Sequence, residues 1–262
     1  MRLAVFSDVH GNWTAFEAAL ADFHAQGGAD RIWLLGDFAA FGPFPARCVA
    51  QVREMLADAE ADEARKGTVR AIRGNTDRYL TQGARALSKP VEDADQFAAF
   101  VHGQREVNEA LQWALEQFSF EDYETLRRLH SECDLNVPGF GAVIGYHAVP
   151  GNDEAYLTPD TPADEAADFL LDREGRLAIG GHIHVQMDRA LPGGWRAINV
   201  GSVGMSFDQP GFAEWGLFTF EGGDVHVDLR AVPYDLEGVI ASYGEVGFPS
   251  PGWVEQRLRQ LP

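Results

Sequence analysis

Apolar residues along this chain follow two rhythms. Residues 2–6, Ile32-Trp33-Leu34-Leu35 and Thr68-Val69-Arg70-Ala71-Ile72 are short, largely apolar runs of the kind that build strands buried on both faces. Between the first two, Trp13, Phe16, Ala19, Leu20 and Phe23 recur at helical spacing, with Asn12 as N-cap and Gly27-Gly28 as the stop. A loop with Gly42, Pro43 and Pro45 leads into a helix predicted around 46–57, and the acidic run from Asp58 to Glu63 reads as a solvated loop or helix end. This β–α–β–α–β alternation predicts a parallel sheet with right-handed crossovers, whose ligands sit beyond the carboxyl ends of the strands.

The second half changes character. Residues 90–130 are helix-rich, with Phe97, Phe100, Val101, Leu111, Trp113, Leu115 and Phe118 as the packing residues. Strands follow at 140–147, 176–180, 185–190, 195–200, 213–220 and 224–232, with a helix at 163–171 and two weaker helical patterns at 235–243 and 251–260. No repeat or Ser/Gly-rich linker divides the chain, so residues 1–262 are expected to form one α/β domain of two packed sheets with outer helices. The helix-rich insertion at about 90–130 is expected to cover the active site.

Composition narrows the function. The chain carries 21 Lys and Arg against 40 Asp and Glu, a net charge of −19. Such a surface repels polyanions and argues against general nucleic-acid binding, but a local pair of divalent cations would still admit a small phosphorylated ligand. Cys48 and Cys133 lie far apart without metal-knuckle spacing, which points away from a disulfide and towards a reducing compartment. Asp8, His10 and Asn12 interrupt any secretory apolar core, and no run is long enough for a membrane helix. The expected location is the cytoplasm, with no membrane partner. Nothing in the sequence sets an oligomeric state.

The chemistry collects at strand ends. Asp8-x-His10, Gly36-Asp37, Gly74-Asn75, Tyr146-His147 and Gly181-His182-x-His184 each close an apolar run. Imidazole is the commonest side-chain metal ligand, and mixed carboxylate, imidazole and amide donors suit Mn²⁺, Fe or Zn²⁺ rather than an all-thiolate site.

In this order, and with Gly11-Asn12, Gly42-Pro43-x-Pro45, Asn199-x-Gly201-Ser202-Val203-Gly204 and Val232-Pro233-Tyr234-Asp235, the set resembles the calcineurin-like metallophosphoesterase superfamily, in its small bacterial phosphodiesterase-like branch. The resemblance implies a four-layer sandwich of two mixed β-sheets flanked by helices. It also implies two divalent metal ions, with Mn²⁺ favoured for activity. Asp8, His10 and His184 would hold the first, and Asn75, His147 and His182 the second, with Asp37 bridging. The implied reaction is phosphoester hydrolysis, a diester being the expected substrate, by a hydroxide shared between the ions. A phosphomonoesterase, a nucleotide pyrophosphohydrolase and a catalytically weak metal-binding scaffold are the alternatives.

One position departs from the pattern. The family usually places His after the Asn, to stabilise charge or protonate the leaving group, and here that residue is Thr76. A hydroxyl is a poor acid at neutral pH, and general acid catalysis is typically worth ~10²–10⁴-fold. The expectation is a preference for leaving groups that are already weak bases, or a replacement acid, with His102 on the helical insertion as the candidate. Arg78 and Arg73 flank the Asn75 turn, where a guanidinium could clamp phosphate or simply pair with a surface acid. Asn12 is expected to cap its helix or to orient His10 or Asp37, and Asp77 to fix its own turn or the His10 ring.

Overall fold

The computed structural model describes residues 1–86 and 90–260. The first sheet is built from β1 (Arg2–Phe6), β2 (Arg31–Leu34) and β3 (Val69–Ala71), with α1 (Trp13–Ala25) and α2 (Pro45–Ala61) as crossovers. After α3 (Asn75–Gln82), α4 (Ala94–Glu116) and α5 (Phe120–Arg127), the chain enters the second sheet. That sheet comprises β4 (Glu132–Val137), β5 (Gly141–Tyr146), β6 (Leu177–Gly180), β7 (Gln186–Ala190) and β8 (Arg196–Val200), with α6 (Ala163–Asp168) between β5 and β6. β9 (Phe212–Glu221) and β10 (Asp224–Pro233) return to the first sheet, and α7 (Leu236–Glu245) and α8 (Pro251–Leu258) finish the fold.

Each sheet has five strands, in the orders β10-β9-β1-β2-β3 and β4-β5-β6-β8-β7. β1, β2 and β3 pair in parallel, as do β5, β6 and β8, while β1–β9, β9–β10, β4–β5 and β7–β8 are antiparallel. Both sheets are therefore mixed.

Strand periodicity decides the layering. In β1, Leu3 and Val5 point into the space between the sheets with Trp33, Val143, Ile179 and Ile198, whereas Ala4 and Phe6 point the other way onto Phe16, Phe23 and Val49. The outer face of the second sheet is covered through Ala178, Ala197 and Met187 against Ala166 and Leu170. The result is helix, sheet, sheet, helix, as the resemblance implies.

Two elements escape the hydrophobic pattern. β4 is an edge strand whose Cys133, Leu135 and Val137 alternate with polar residues, too weak an alternation to stand out. α3 is almost wholly polar and begins at Asn75, where the sequence suggests only a turn; Asp77 caps it by accepting the Gly74 N–H at 2.9 Å. The acidic run beginning at Asp58 falls on the end of α2 and beyond it, in solvent. Cys48 and Cys133 are buried free thiols. Among the described residues, no helix is long and apolar enough to cross a membrane.

Candidate metal centre

The carboxyl ends of β1, β2, β5 and β6, and the first turn of α3, bring Asp8, His10, Asp37, Asn75, His147, His182 and His184 to one rim between the sheets. Packing there is close enough to force unusual backbone. Asp8, His10, Asp37, His182 and His184 all have φ between 50° and 72°, the left-handed region that costs an L-residue ~1–2 kcal/mol each. Strain concentrated on one set of polar side chains points to a function for that set. Glycines allow the approach: a Cβ at Gly74 would collide with the Asp37 carboxylate, and one at Gly181 with Ser7 and Asp8.

Neighbouring loops lock this backbone. The Asp8 carbonyl accepts from Ser202 Oγ at 2.8 Å and from the Gly204 N–H at 2.9 Å, while Asn199 Nδ2 donates to the Gly181 carbonyl at 2.5 Å. The Asn199-x-Gly-Ser-Val-Gly segment is thus a strap joining the ends of β1 and β6. Asp77 does the same for β2 and β3. Its Oδ2 accepts from Asp37 and Gly74 N–H at 2.7 and 2.9 Å, and its Oδ1 from Phe38 N–H at 3.0 Å. Asp77 therefore fixes its own turn and not the His10 ring. Asn12 caps α1 through the Ala15 N–H at 3.1 Å and donates to the Gly204 carbonyl at 2.9 Å.

The imidazole tautomers follow from their partners. His10 Nδ1 faces the Ala40 carbonyl at 3.0 Å, His184 Nδ1 the Met205 carbonyl at 2.8 Å, and His147 Nδ1 the Leu35 carbonyl at 2.8 Å. A carbonyl only accepts, so each Nδ1 carries the hydrogen and each Nε2 of a neutral ring presents a lone pair inward. Those of His10 and His184 lie 3.0 Å apart, and Asp8 Oδ1 is 3.2 Å from His184 Nε2 and 3.7 Å from His10 Nε2. Asp37 Oδ2 is 3.7 Å from His10 Nε2 and 3.5 Å from His147 Nε2, so it stands between the two halves of the cluster. Asn75 Oδ1 lies 3.0 Å from His147 Nε2 and 3.1 Å from His182 Nδ1.

Electrostatics agree with this geometry. Burial opposes charge on Asp8 and Asp37, yet His147 and its imidazole neighbours outweigh burial and hold both carboxyls down, Asp37 at about 2. Burial, helped by the neighbouring rings, lowers His10 and His182 to about 4, which leaves their lone pairs free at neutral pH. Burial also opposes charge on His147, but Asp37 and Asp8 outweigh it and lift that ring to about 10. The carboxylates thus demand a positive charge among them. Asp8 Oδ1 is buried without a hydrogen-bond partner. Converging lone pairs, ionised carboxylates and this orphaned oxygen fit divalent cations, with Asp8, His10 and His184 as one group of donors and Asp8, Asp37 and His147 as an overlapping one.

A cavity of about 260 Å³ opens over the cluster. His10, Asp37, Asn75, Thr76, His182 and His184 line one side; Phe41, Val107, Met205, Phe207, Trp253 and Arg257 line the other. Thr76 is buried, donates its N–H to Asp37 Oδ1 at 2.9 Å, and leaves its hydroxyl unpartnered.

Two expected residues are placed differently. His102 does not line the cavity: its side chain is 73% exposed and pairs with Glu106 at 3.2 Å along α4. Arg78 spends its guanidinium on Asp153, at 2.8 and 2.7 Å, and on Glu154 at 2.5 Å, the ion pair that is one of its two expected roles. With Arg73 it lines a neighbouring cavity that shares His147. The helical insertion contributes only Val107 to the lining, whereas α8 contributes Trp253 and Arg257. The sequence marks those two only by their spacing of four on a weak helical pattern, with no sign that the tail folds back over the strand ends.

The calcineurin-like phosphoesterase superfamily domain matches residues 1–222. The Methanocaldococcus jannaschii protein MJ0912 is 26% identical over 271 residues, spanning 98% of this chain and 96% of its own length. Among solved structures, a metallophosphoesterase from Sphaerobacter thermophilus superposes with a TM-score of 0.71 at 25% identity, covering 99% of each chain. The hypothetical protein PH1004 from Pyrococcus horikoshii reaches 0.76 at 19% identity over 98% of this chain and 97% of its own, a likeness of fold. Donor set, layered sheets and family match coincide, and the chain belongs to the calcineurin-like phosphoesterase superfamily.

Proposed function

We propose that this protein is a dinuclear metal-dependent phosphoesterase acting on phosphodiesters. The observation that carries the reading is the pair of lone-pair-bearing Nε2 atoms of His10 and His184, 3.0 Å apart and facing the orphaned Asp8 Oδ1. Asp8, His10 and His184 would hold one divalent ion and Asn75, His147 and His182 the other, with Asp37 shared between them and its other oxygen accepting the Thr76 N–H. Asp8 Oδ1 is also 3.9 Å from His147 Nε2, but Asp37 has the better placement for the bridge because its Oδ2 lies nearer to His147. Two such ions acidify water and screen phosphoryl charge. Mn²⁺, Fe and Zn²⁺ suit these donors. Thr76 cannot supply an acidic proton at neutral pH, so the residues present favour esters whose leaving group is a weak base.

Hydrolysis of bis-p-nitrophenyl phosphate with added Mn²⁺, lost in Asp37→Ala, tests the reading. Faster turnover of monoesters or nucleoside diphosphates would redirect it to a phosphomonoesterase or pyrophosphohydrolase. Two bound ions without turnover of any ester would favour a metal-binding scaffold.

A further inference from the structure

Trp253 and Arg257, four residues apart on α8, both line the cavity over the candidate metal centre. The helix is held from its other side, where Val254 and Leu258 are buried with Met205, Val239 and Tyr243. Trp253 meets Phe41 edge-on, with ring centroids 5.3 Å apart at 67°. Phe41 has a φ of 82°, a region bulky residues avoid, and its carbonyl accepts the Tyr243 hydroxyl at 2.9 Å. That strain keeps its ring between Trp253 and His10, 5.6 Å from the latter. Phe207, 37% exposed, lies against His184 at 4.6 Å.

Arg257 lies over the Trp253 ring, 3.9 Å from its centroid, and donates to the Trp253 carbonyl at 3.1 Å. Although the chain has a net charge of −19, Arg257 forms no salt bridge among the described residues; Glu106, which pairs with His102, acts on it only through space. Among the described residues it is the one arginine lining this cavity, and no lysine lines it. An arginine that only tied down the last turn of α8 would serve as well on the solvent side. Its position over the metal ligands calls for another partner.

We propose that α8 selects the substrate: Arg257 binds a phosphoryl oxygen, and Trp253, with Phe41 and Phe207, receives a flat aromatic group esterified to the same phosphorus. A guanidinium matches phosphate oxygens and stacks on rings, and an aromatic wall rewards a planar guest. This rests on the phosphoesterase reading and adds the shape of its substrate. Arg257 stabilises charge without acting as an acid, which accords with the absence of a proton donor at Thr76.

Calorimetric titration of the Mn²⁺-loaded protein with phenylphosphonate, cyclohexylphosphonate and methylphosphonate tests it. Phenylphosphonate should bind about 5–10-fold tighter than methylphosphonate, with the cyclohexyl compound between them. Trp253→Leu should erase that preference, so that the three ligands bind alike. Arg257→Gln should weaken all three by roughly tenfold or more, and Arg257→Lys should recover part of the loss. Equal binding of the three ligands, a preference that survives Trp253→Leu, or undiminished binding in Arg257→Gln would overturn the proposal. Thermal melts identify a variant that has lost its fold, and the Arg257→Lys comparison then decides. Metal content on the same samples separates the two readings. Two bound ions with no phosphonate binding overturns the α8 proposal alone; no bound metal overturns the phosphoesterase reading first.

Discussion

The Nε2 atoms of His10 and His184 face each other at 3.0 Å, and in their neutral forms neither ring has a hydrogen to place between them, because each Nδ1–H is committed to a backbone carbonyl. Two lone pairs so placed repel. They would become partners if a cation joined them. The rings come from segments 174 residues apart in sequence and are fixed by backbone strain, so the fold holds a costly arrangement ready for a ligand.

His184→Ala and His182→Ala should each lower bound metal from two ions per chain to about one, and the ion lost should differ. Elemental analysis gives the count. The spectrum of a mixed Co²⁺/Zn²⁺ sample tells the sites apart, and identical spectra for the two variants would refute the division of ligands. Stripping metal with a chelator should lower the melting temperature of the wild type, since binding to the folded state alone stabilises it.

Restoring an acid should change which esters the protein cleaves. The side chain of Thr76 is buried in the cavity wall beside Asp37. Thr76→His is expected to raise kcat/KM by ~10²-fold for alkyl leaving groups and little for p-nitrophenol, flattening the dependence of rate on leaving-group pKa. His102→Ala should leave that slope as it is, because the ring is in solvent with Glu106. A steeper slope in His102→Ala would restore it as an acid.

Glu214 makes stability depend on pH. Burial, then its hydrogen bond to Asp208, lifts its carboxyl from the ordinary 4.5 to about 9. The folded state keeps this proton after the unfolded chain has lost it, so the group's contribution to stability is greatest below pH 4.5 and falls as pH rises towards 9. Glu214→Gln removes that fall. Its melting temperature should exceed wild type at pH 8, by ~2–4 °C for each kcal/mol recovered, and match it near pH 4. An equal gain at both pH values would show that the carboxyl is ionised in the folded protein.

Asp77 ties together the loops that carry Asp37 and Asn75. Asp77→Asn replaces one of two acceptor oxygens with a donor facing backbone N–H groups, and each buried group left unpaired costs ~1–3 kcal/mol. Denaturant melts should show a loss of that size, and Mn²⁺ affinity should fall along with it, because Asp37 and Gly74 lose their common anchor. A stability loss with unchanged metal affinity would limit Asp77 to the fold.

Much of the architecture is legible in residue order. Alternation places Leu3 and Val5 on one face and Ala4 and Phe6 on the other, and a strand that must bury both faces leaves few places for polar residues except its ends. Asp8, Asp37, His147, His182 and His184 stand at such ends, so their convergence at one rim follows from the parallel topology. α3 and β4 are hidden for the opposite reason: one has only Tyr79 and Leu80 to bury among polar residues, and the other sits at a sheet edge where its polar positions meet water.

Local order could not foretell how distant surfaces meet. Arg78 is close to Asn75 in sequence, yet a bidentate bond to Asp153, 75 residues away, takes its guanidinium out of the metal cavity. Trp253 and Arg257 are nearly as far from Asp8 as the chain allows, yet α8 docks on Val254 and Leu258 and places both in the wall of the cavity that His10, Asp37 and His184 also line. The residue types and their places on strands are short-range matters of periodicity and turn chemistry. The second wall of the cavity is a matter of which apolar faces find each other, and that contact exists only once the two sheets and their helices have packed.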